Sequence, residues 1–306
     1  MFNLVQKRRW YFIISACLIV PGLIAMIYSG ITIGSPFRLG IDFSGGSLLQ
    51  LGYQAPVTLE QAQQAVADAG YPDAVIQIVD GGSSISIRTK PMQVEQKEAL
   101  KAQLSTSLGE ATELSFDSVG PTVGQETTRA AVLAILASSV AILIFVALAF
   151  RKIPNAFRYG VCAVAKMFHD VLVILGLASI MGLIAGWEID SLFLTATVTV
   201  VGFSVQDVIV VFDRIRENIR RRRGEPFETI VNRSLLETLH RSLATQLNAM
   251  FIMVAVILFG GASIRQFMIV MLIGMVSGTY SSLFFAVPLL VSWEQGELGK
   301  LFKRSR

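Results

Sequence analysis

The sequence predicts a polytopic α-helical membrane protein with six transmembrane helices and one α+β ferredoxin-like domain, of order β-α-β-β-α-β, between the first two of them. Two observations support this fold class. First, 53% of the residues are hydrophobic and only 16% are charged, and the mean hydropathy is +0.60, which is unlike an ordinary soluble protein. Second, a helix needs roughly 20 apolar residues to cross a bilayer, and six such runs occur, at 11–29, 130–150, 160–185, 192–212, 243–260 and 267–293.

The first apolar run follows Lys7, Arg8 and Arg9, as the apolar part of a signal peptide does. However, the run is long, no small-residue cleavage site follows it, and five more runs come after it. We therefore interpret this run as a retained membrane anchor.

Basic residues predict the orientation of the spans, because short cytoplasmic loops are enriched in Lys and Arg. They cluster before span one, between spans two and three, between spans four and five, and after span six. On the other side, loop 186–191 has no basic residue and loop 261–266 has only Arg265. We expect a multi-pass protein of the cytoplasmic membrane, anchored in the lipid bilayer, with both termini in the cytoplasm and the large loop outside. The arginines at 220–223 also fit a nucleic-acid surface, but we favour anchoring and expect no nucleic-acid partner.

The polar segment between spans one and two is too long for a loop without structure. A turn at Asp80, Gly81 and Gly82 joins two β-branched runs, which is a strong hairpin signal. Thr58 is a good N-cap for the helix that follows it. The elements expected are a strand at 47–53, a helix from 58 to 70, strands at 74–79 and 84–88, a helix at 94–108 and a strand at 111–119. This order is that of a ferredoxin-like split unit.

These patterns divide the chain into four parts: the N-terminus with the first span, the external domain, spans two to six, and a basic cytoplasmic tail, at 1–30, 31–126, 127–295 and 296–306. The external domain has no histidine and its acidic residues are scattered, so we expect a contact surface or a moving lever there and not an enzyme site. The two cysteines lie in apolar runs, as small hydrophobic residues do. We expect neither a disulfide nor a metal site.

Ionisable residues inside the apolar runs are the most informative feature of the chain. Asp170 and Asp207 lie in the third and fourth runs, where a carboxylate costs roughly 2.5–3.5 kcal/mol even on the lenient insertion scale. Such a group normally faces a partner or a water-filled path. Lys166 and Asp170 are four residues apart and therefore share one face of a helix. We favour a structural ion pair for them over a direct role in moving protons, although both interpretations remain open.

Five ordered motifs, together with the predicted topology, resemble the SecF family, whose members are the smaller membrane subunits of the SecDF protein-export complex. The first motif includes Asp42, Gly45 and Gly46, at the start of the external domain. The stretches that carry the resemblance are GIDFSGG at 40–46, VGPTVG at 119–124, FHDV at 168–171, VGFSVQD at 201–207 running into VFDRIREN at 211–218, and TLHRS at 238–242 with FGG at 259–261.

The resemblance implies membership of the resistance-nodulation-division superfamily and proton flow through the membrane part. Family members use an acidic residue at the position of Asp207 and an arginine at that of Arg241 for this coupling, with Asp170 as a further intramembrane acid. Arginine stays charged, so Arg241 would act as a fixed positive charge beside Asp207. The alternative is that the two residues only hold two helices together, but intramembrane polar contacts contribute about 0.6 kcal/mol on average. We favour the proton relay.

The neighbours of these residues include two departures from the family pattern. Gln206 stands where an asparagine is common, and Lys166 occupies a position expected to be apolar. His169 precedes Asp170 but is expected to lie on another face of the helix, where a helix contact is the first interpretation. Asp213 and Arg214 lie at the cytoplasmic boundary and are interpreted as interfacial anchors.

The resemblance also implies a function: a subunit that, with a SecD-like membrane subunit, uses the proton motive force to promote export of polypeptides. The partners implied are that subunit, the SecYEG translocon with its accessory subunits, and the exported unfolded polypeptide. Protons are the coupling ion, and no other cofactor is expected. The alternative is a proton-driven exporter of small molecules or lipids of the same superfamily, which needs a substrate pocket in the external domain.

Overall fold

The structure is a computed structural model that describes residues 3–150, 155–222 and 224–297. The chain divides into two compact units. The sheet unit consists of Arg38–Val132 and Glu188–Ser191. The helical unit consists of Leu133–Trp187 together with the chain before Arg38 and after Ser191. Most of the predicted basic tail at 296–306 lies outside the described residues.

Six helical segments of the described chain are long and apolar enough to cross a membrane, and each of the six predicted runs overlaps one of them. The prediction of six spans is therefore confirmed. The helices are α1 (Arg8–Thr32), α5 (Pro121–Ala149), α6 (Ala156–Ile184), α7 (Ser191–Arg221), α8 (Phe227–Phe259) and α9 (Ala262–Ser281), which continues through a π-helical turn (Ser282–Ala286) into α10 (Val287–Glu294).

Each helical segment is longer than its predicted span, and the extensions of α7 and α8 flank the connection between these two helices. Helix α7 continues nine residues beyond the predicted end at 212, and α8 begins sixteen residues before the predicted start at 243. These extensions are too polar for an apolar run, but ion pairs one helical turn apart stabilise them. Arg216 lies 2.5 Å from Asp213, and Arg221 lies 2.7 Å from Glu217.

The sheet unit contains every strand and helix that the sequence predicts for it, in the predicted order. The elements are β1 (Gly46–Tyr53), α3 (Leu59–Asp68), β2 (Val75–Val79), β3 (Ser84–Thr89), α4 (Val94–Leu108) and β4 (Ala111–Val119), preceded by a short helix α2 (Ile41–Ser44) that was not predicted. The predicted N-cap is confirmed, since the Thr58 hydroxyl accepts from the backbone N–H of Gln61, whose side chain in turn caps the N–H of Thr58.

The four strands form one antiparallel sheet in the order β2-β3-β1-β4. Side chains alternate between its faces, and Leu49 and Leu51 of β1 pair with Ile87 and Ile85 of β3. All four side chains are fully buried, together with Leu100 and Leu104 of α4. The core of the sheet unit therefore lies between one face of the sheet and helices α3 and α4.

The core of the helical unit includes a stack of aromatic rings. The ring centroid of Tyr159 lies 5.6 Å from that of Phe150 and 5.2 Å from that of Phe212. The N-terminal segment closes this core, because Val5 is buried in it. The Asn232 side-chain oxygen accepts hydrogen bonds from the backbone N–H groups of Leu4 and Val5, at 2.8 and 3.4 Å. A single amide of α8 thus satisfies two N–H groups that would otherwise be buried without a partner.

Helices α1 and α6 cross where each has a glycine. A Cβ atom added to Gly22 would lie 2.5 Å from the Cα atom of Gly176, and one added to Gly176 would lie 2.8 Å from that of Gly22. No side chain fits at either position, so the two backbones are in direct contact. Small residues permit such close approach in membranes, where packing replaces the hydrophobic driving force.

We expect the fragment 31–126 to fold on its own. All the buried side chains of the sheet core, from Leu49 to Ala111, lie within it, and a chain of this length buries enough surface to fold alone. Circular dichroism and thermal melting of the purified fragment measure this directly. A helix and strand spectrum with a cooperative transition is expected, whereas a featureless spectrum and a gradual melt would contradict the prediction.

Candidate functional site

Lys166 and Asp170 of α6 form the predicted ion pair inside the helical unit. The Lys166 Nζ atom lies 3.0 Å from the Asp170 Oδ2 atom, and both side chains are fully buried, at 0% exposure. The spacing of four residues places them on one face of α6. Because each charge neutralises the other where it lies, the cost of burying either one alone is largely avoided.

Ser204 of α7 bridges this pair from the neighbouring helix. Its hydroxyl donates to Asp170 Oδ2, and Lys166 Nζ donates to the Ser204 backbone carbonyl at 2.7 Å and also contacts the Ser204 hydroxyl. The sequence alone does not single out Ser204. Its signal was a small polar residue three positions before Asp207 in an otherwise apolar run, which is too weak to distinguish a ligand from a packing residue.

His169 makes the expected contact with a neighbouring helix and also contacts the adjacent Asp170. Its Nδ1 atom lies 3.1 Å from the Asp170 Oδ1 atom, and its ring packs 4.8 Å from the ring of Phe285. The two carboxylate oxygens point in different directions. Oδ2 faces Lys166 and Ser204, while Oδ1 is left for the adjacent imidazole. The predicted helix contact is present as well, through Phe285.

A π-helical turn lies beside Ser204. Ser282, its first residue, donates to the Gly278 carbonyl at 2.7 Å and to the Ser204 carbonyl at 3.4 Å. A Cβ atom on Gly278 would lie 3.4 Å from the Ser204 Cβ atom, so the small residue at 278 brings α9 close to α7. Short π segments occur frequently at functional sites. No pattern in the sequence predicts this turn.

Asp207 of α7 has a different environment, since its hydrogen-bond partner is a neutral amide. The Gln246 Nε2 atom of α8 donates to Asp207 Oδ2 at 2.7 Å, and both side chains are buried, with 6% and 5% exposure. The Gln246 Oε1 atom is buried without a hydrogen-bond partner among the described residues. Among the described residues, Lys166 pairs with Asp170 and forms no ion pair with Asp207.

The structure does not bring Arg241 and Asp207 together. Arg241 is exposed, and within the described ranges it forms no ion pair with Asp207. Successive residues of a helix are 100° apart, so Arg241 points about 140° away from Gln246, the α8 residue that does contact Asp207. Gln206 is also exposed. A role for Arg241 and Gln206 in a proton relay stays a prediction.

At the end of α7, Asp213 and Arg214 lie on the surface of the helix. Arg214 Nε lies 2.6 Å from Glu237 of α8, and Arg214 also pairs with Glu217. The Asn218 side chain donates to the same Glu237 carboxylate at 2.9 Å. These contacts link the polar extensions of α7 and α8, which fits a structural role at the membrane boundary.

The backbone at the start of β1 requires glycine at positions 45 and 46. Gly45 has φ 71° and ψ 167°, a backbone region that essentially only glycine adopts. A Cβ atom there would also lie 2.9 Å from the Cα atom of Pro121, and one on Gly46 (φ 127°) would lie 2.7 Å from the Thr89 carbonyl oxygen. Asp42 accepts hydrogen bonds from the Ser191 backbone N–H, at 2.8 Å, and from its hydroxyl.

Comparison with known proteins assigns the chain to a family. Residues 99–296 match the family described as "Protein export membrane protein SecD/SecF, C-terminal", and residues 30–57 match "SecD/SecF GG Motif". The protein translocase subunit SecF of Thermobaculum terrenum is 44% identical, with 100% of this chain and 98% of that protein covered. That of Anaerolinea thermophila is also 44% identical, with 99% and 98% covered. The chain belongs to the SecF family.

Solved SecDF structures share the fold of this SecF-family chain. The crystal structure of SecDF from Thermus thermophilus, a translocon-associated membrane protein, superposes with a TM-score of 0.81 at 32% identity over 96% of this chain. A SecDF structure in a super-membrane-facing form gives 0.67 at 30% identity over 99%. The chain spans 39% and 40% of those two chains, about two-fifths of their length.

In this SecF-family chain, the segment Glu188–Ser191 belongs to the sheet unit because two side chains hold it there. Asp42 binds Ser191, and Arg88 Nη1 lies 2.9 Å from Glu188 Oε1. Arg88 also donates to the Leu39 carbonyl and the Ser44 hydroxyl. Burial raises the pKa of the Glu188 carboxyl above its ordinary value, and the Arg88 guanidinium offsets part of that rise.

We expect Gly45→Ala to destabilise the fragment 31–126 by more than Gly109→Ala does. Gly109 has nearly the same backbone angles, φ 103° and ψ 169°, but an added Cβ atom there meets nothing within 4 Å. Both variants carry the conformational cost of about 1–3 kcal/mol, and only Gly45→Ala adds the clash with Pro121, at about 1–3 kcal/mol. Urea unfolding measures both. Equal decreases in the free energy of unfolding of the two variants would show that the close contact at Gly45 carries no cost.

Proposed function

We propose that this chain is a subunit of the Sec protein-translocation machinery which, with a SecD-like subunit, uses the proton motive force to promote export of polypeptides across the cytoplasmic membrane. Membership of the SecF family supports the role in translocation. The observation that carries the coupling to protons is the environment of Asp207, a buried carboxylate inside a membrane span whose contacting partner is neutral.

The Asp207–Gln246 contact accommodates both protonation states of the carboxyl group. When Asp207 is ionised, it accepts the hydrogen bond from Gln246 Nε2, at 2.7 Å. When it is protonated, it becomes a donor, and Gln246 supplies an acceptor, since its Oε1 atom has no other partner among the described residues. Asp207 therefore has a hydrogen-bond partner in both protonation states, and the Gln246 Oε1 atom, which is unpaired beside the ionised carboxylate, gains a partner when Asp207 is protonated. A proton carrier requires this property.

Arg241 is proposed to act on the relay from the surface of this chain. Its exposed side chain is free to meet a group of another subunit. A SecD-like partner is the candidate, because the chain spans about two-fifths of the SecDF chains that it resembles. The fixed positive charge of the arginine would favour the ionised form of a carboxyl group brought near it. Asp207 would then release its proton when the two subunits place Arg241 close to it.

The sheet unit is proposed to be a ferredoxin-like external domain, with both chain termini in the cytoplasm. The β-α-β-β-α-β order and the antiparallel strand order β2-β3-β1-β4 support the fold. The distribution of basic residues supports the orientation. This domain would contact the exported polypeptide, the SecYEG translocon or both. One charge that crosses 100 mV releases about 2.3 kcal/mol, which is enough to bias a movement of the domain between two positions.

We expect Asp207→Asn to abolish proton-dependent export while the complex still assembles. Asparagine keeps the size of the side chain and its hydrogen bond with Gln246, but it cannot ionise. The measurement is export of a reporter protein in membrane vesicles at two values of the proton gradient, with subunit abundance determined in parallel. Asp213→Asn is the matched control: it makes the same change on the same helix at an exposed position, and normal export is expected. Gradient-sensitive export by Asp207→Asn would exclude the relay.

We expect Arg241→Met to reduce export to the level of Asp207→Asn. Methionine removes the fixed positive charge and replaces the apolar stem of the arginine with an apolar side chain of similar length. Arg241→Lys retains the positive charge and should keep a substantial part of the activity. Both are measured in the same export assay. Since Arg241 is exposed in this chain, its substitution should leave the thermal stability of the isolated subunit unchanged. Equal export by the methionine and lysine variants would show that the charge at this position is not used.

A further inference from the structure

The Lys166 ammonium group is enclosed by oxygen atoms. It contacts Asp170 Oδ2 at 3.0 Å, the Ser204 carbonyl at 2.7 Å and the Ser204 hydroxyl. An ammonium group has three N–H donors, and these oxygens are sufficient to accept all three. Lys166 and Asp170 are fully buried and Ser204 is 2% exposed. The ammonium group is therefore a buried cation bound by three oxygen atoms of Asp170 and Ser204, which together form an oxygen shell.

The chemistry of this shell is that of a site for an alkali-metal cation. A carboxylate, a backbone carbonyl and a hydroxyl are the hard oxygen ligands that such cations prefer. Membrane transporters coordinate monovalent cations with carbonyl groups at irregular points of their helices. Here the carbonyl that contacts the ammonium group belongs to the regular helix α7, and the π-helical turn beside it contributes a donor, since the Ser282 hydroxyl lies 3.4 Å from the same carbonyl oxygen.

The Ser204 contacts satisfy the remaining hydrogen-bonding capacity of the buried ion pair, and they also provide the oxygen ligands of a cation site. Neutralising Asp170 requires only that the ammonium group lie near its carboxylate, which the spacing of four residues on α6 already provides. The contacts with the carbonyl and the hydroxyl of Ser204 add a second helix and complete the coordination of the ammonium group. The shell would keep its negative charge and its oxygen ligands if the lysine were removed.

We propose that Lys166 is a tethered cation that occupies a latent alkali-metal site formed by Asp170 and Ser204, and that it thereby excludes metal cations from the coupling pathway. This inference rests on the proposed ion coupling for its consequence, which is that no metal cation is held at Ser204, three residues before Asp207 on α7. The existence of the latent site is independent of export. Lys166 is thus a specificity-determining residue for the coupling ion.

The test is the thermal stability of the full chain in detergent, with NaCl or KCl replacing choline chloride at constant ionic strength. Lys166→Ala opens the space of the ammonium group and leaves the charged shell. We expect the Tm of this variant to rise by at least about 5 °C at a metal concentration 100-fold above its Kd. The wild-type Tm should not respond to either metal. The NaCl and KCl series together identify which cation fits.

Two control variants separate a bound cation from a general salt effect. Lys166→Met fills the same space without a charge, and Lys166→Ala with Asp170→Asn removes the carboxylate. Neither should respond to Na⁺ or K⁺. A metal response in either control, a response of the wild type, or a Lys166→Ala variant that is indifferent to both metals would overturn the proposal.

The proposal remains testable if Lys166→Ala does not fold in choline chloride. Folding that is restored by NaCl or KCl supports the latent site, because a bound cation then replaces the missing ammonium group. If the single variant stays unfolded at about 500 mM of either metal salt while the double variant folds, the shell does not bind a cation and the proposal is wrong. None of these measurements depends on export, so their outcome is distinct from that of the Asp207 experiment.

Discussion

The structure depends on one constraint: a charge at bilayer depth must be neutralised where it lies. Lys166 and Asp170 satisfy it as a pair on one helix, but each retains hydrogen-bonding capacity that α6 alone does not use. Ser204 of α7 supplies that capacity through its hydroxyl and its carbonyl. The carbonyl is then shared with Ser282, where the helix takes a π-helical turn. Three spans thus meet at a single buried charge pair, and the small residue at Gly278 lets them approach.

The sequence predicts those contacts that depend on the spacing of residues within one helix. The Lys166–Asp170 pair follows from an interval of four residues on a helix, and the Thr58 cap follows from the glutamine three residues later. Contacts between distant segments have no such local signal. Ser204 and Gln246 lie 34 and 39 residues from the carboxylates that they bind, and serine and glutamine are common on the surfaces of helices. These two residues were missed for that reason.

The two intramembrane carboxylates have different chemical capacities, although the sequence analysis placed both in one relay. Asp170 accepts from Lys166 and Ser204 and contacts His169, so both of its oxygens are used and a full positive charge opposes it. Protonating it would leave the Lys166 ammonium group buried without a counter-charge, which is costly. Asp207 contacts one neutral amide. The geometry therefore favours Asp170 as a permanent charge and Asp207 as the group that changes protonation state.

A carboxyl group that exchanges protons must be exposed in turn to two different environments. Within this chain, Asp207 is 6% exposed and its hydrogen-bond partner comes from α8, so a second environment requires a change at the α7–α8 contact. Arg241 lies on α8, five residues before Gln246, and its side chain is exposed. A rotation or shift of α8 that breaks the Gln246 hydrogen bond would also move Arg241. The residue that holds Asp207 and the residue proposed to displace its proton therefore lie on the same helix, and a partner that bound Arg241 would act on both.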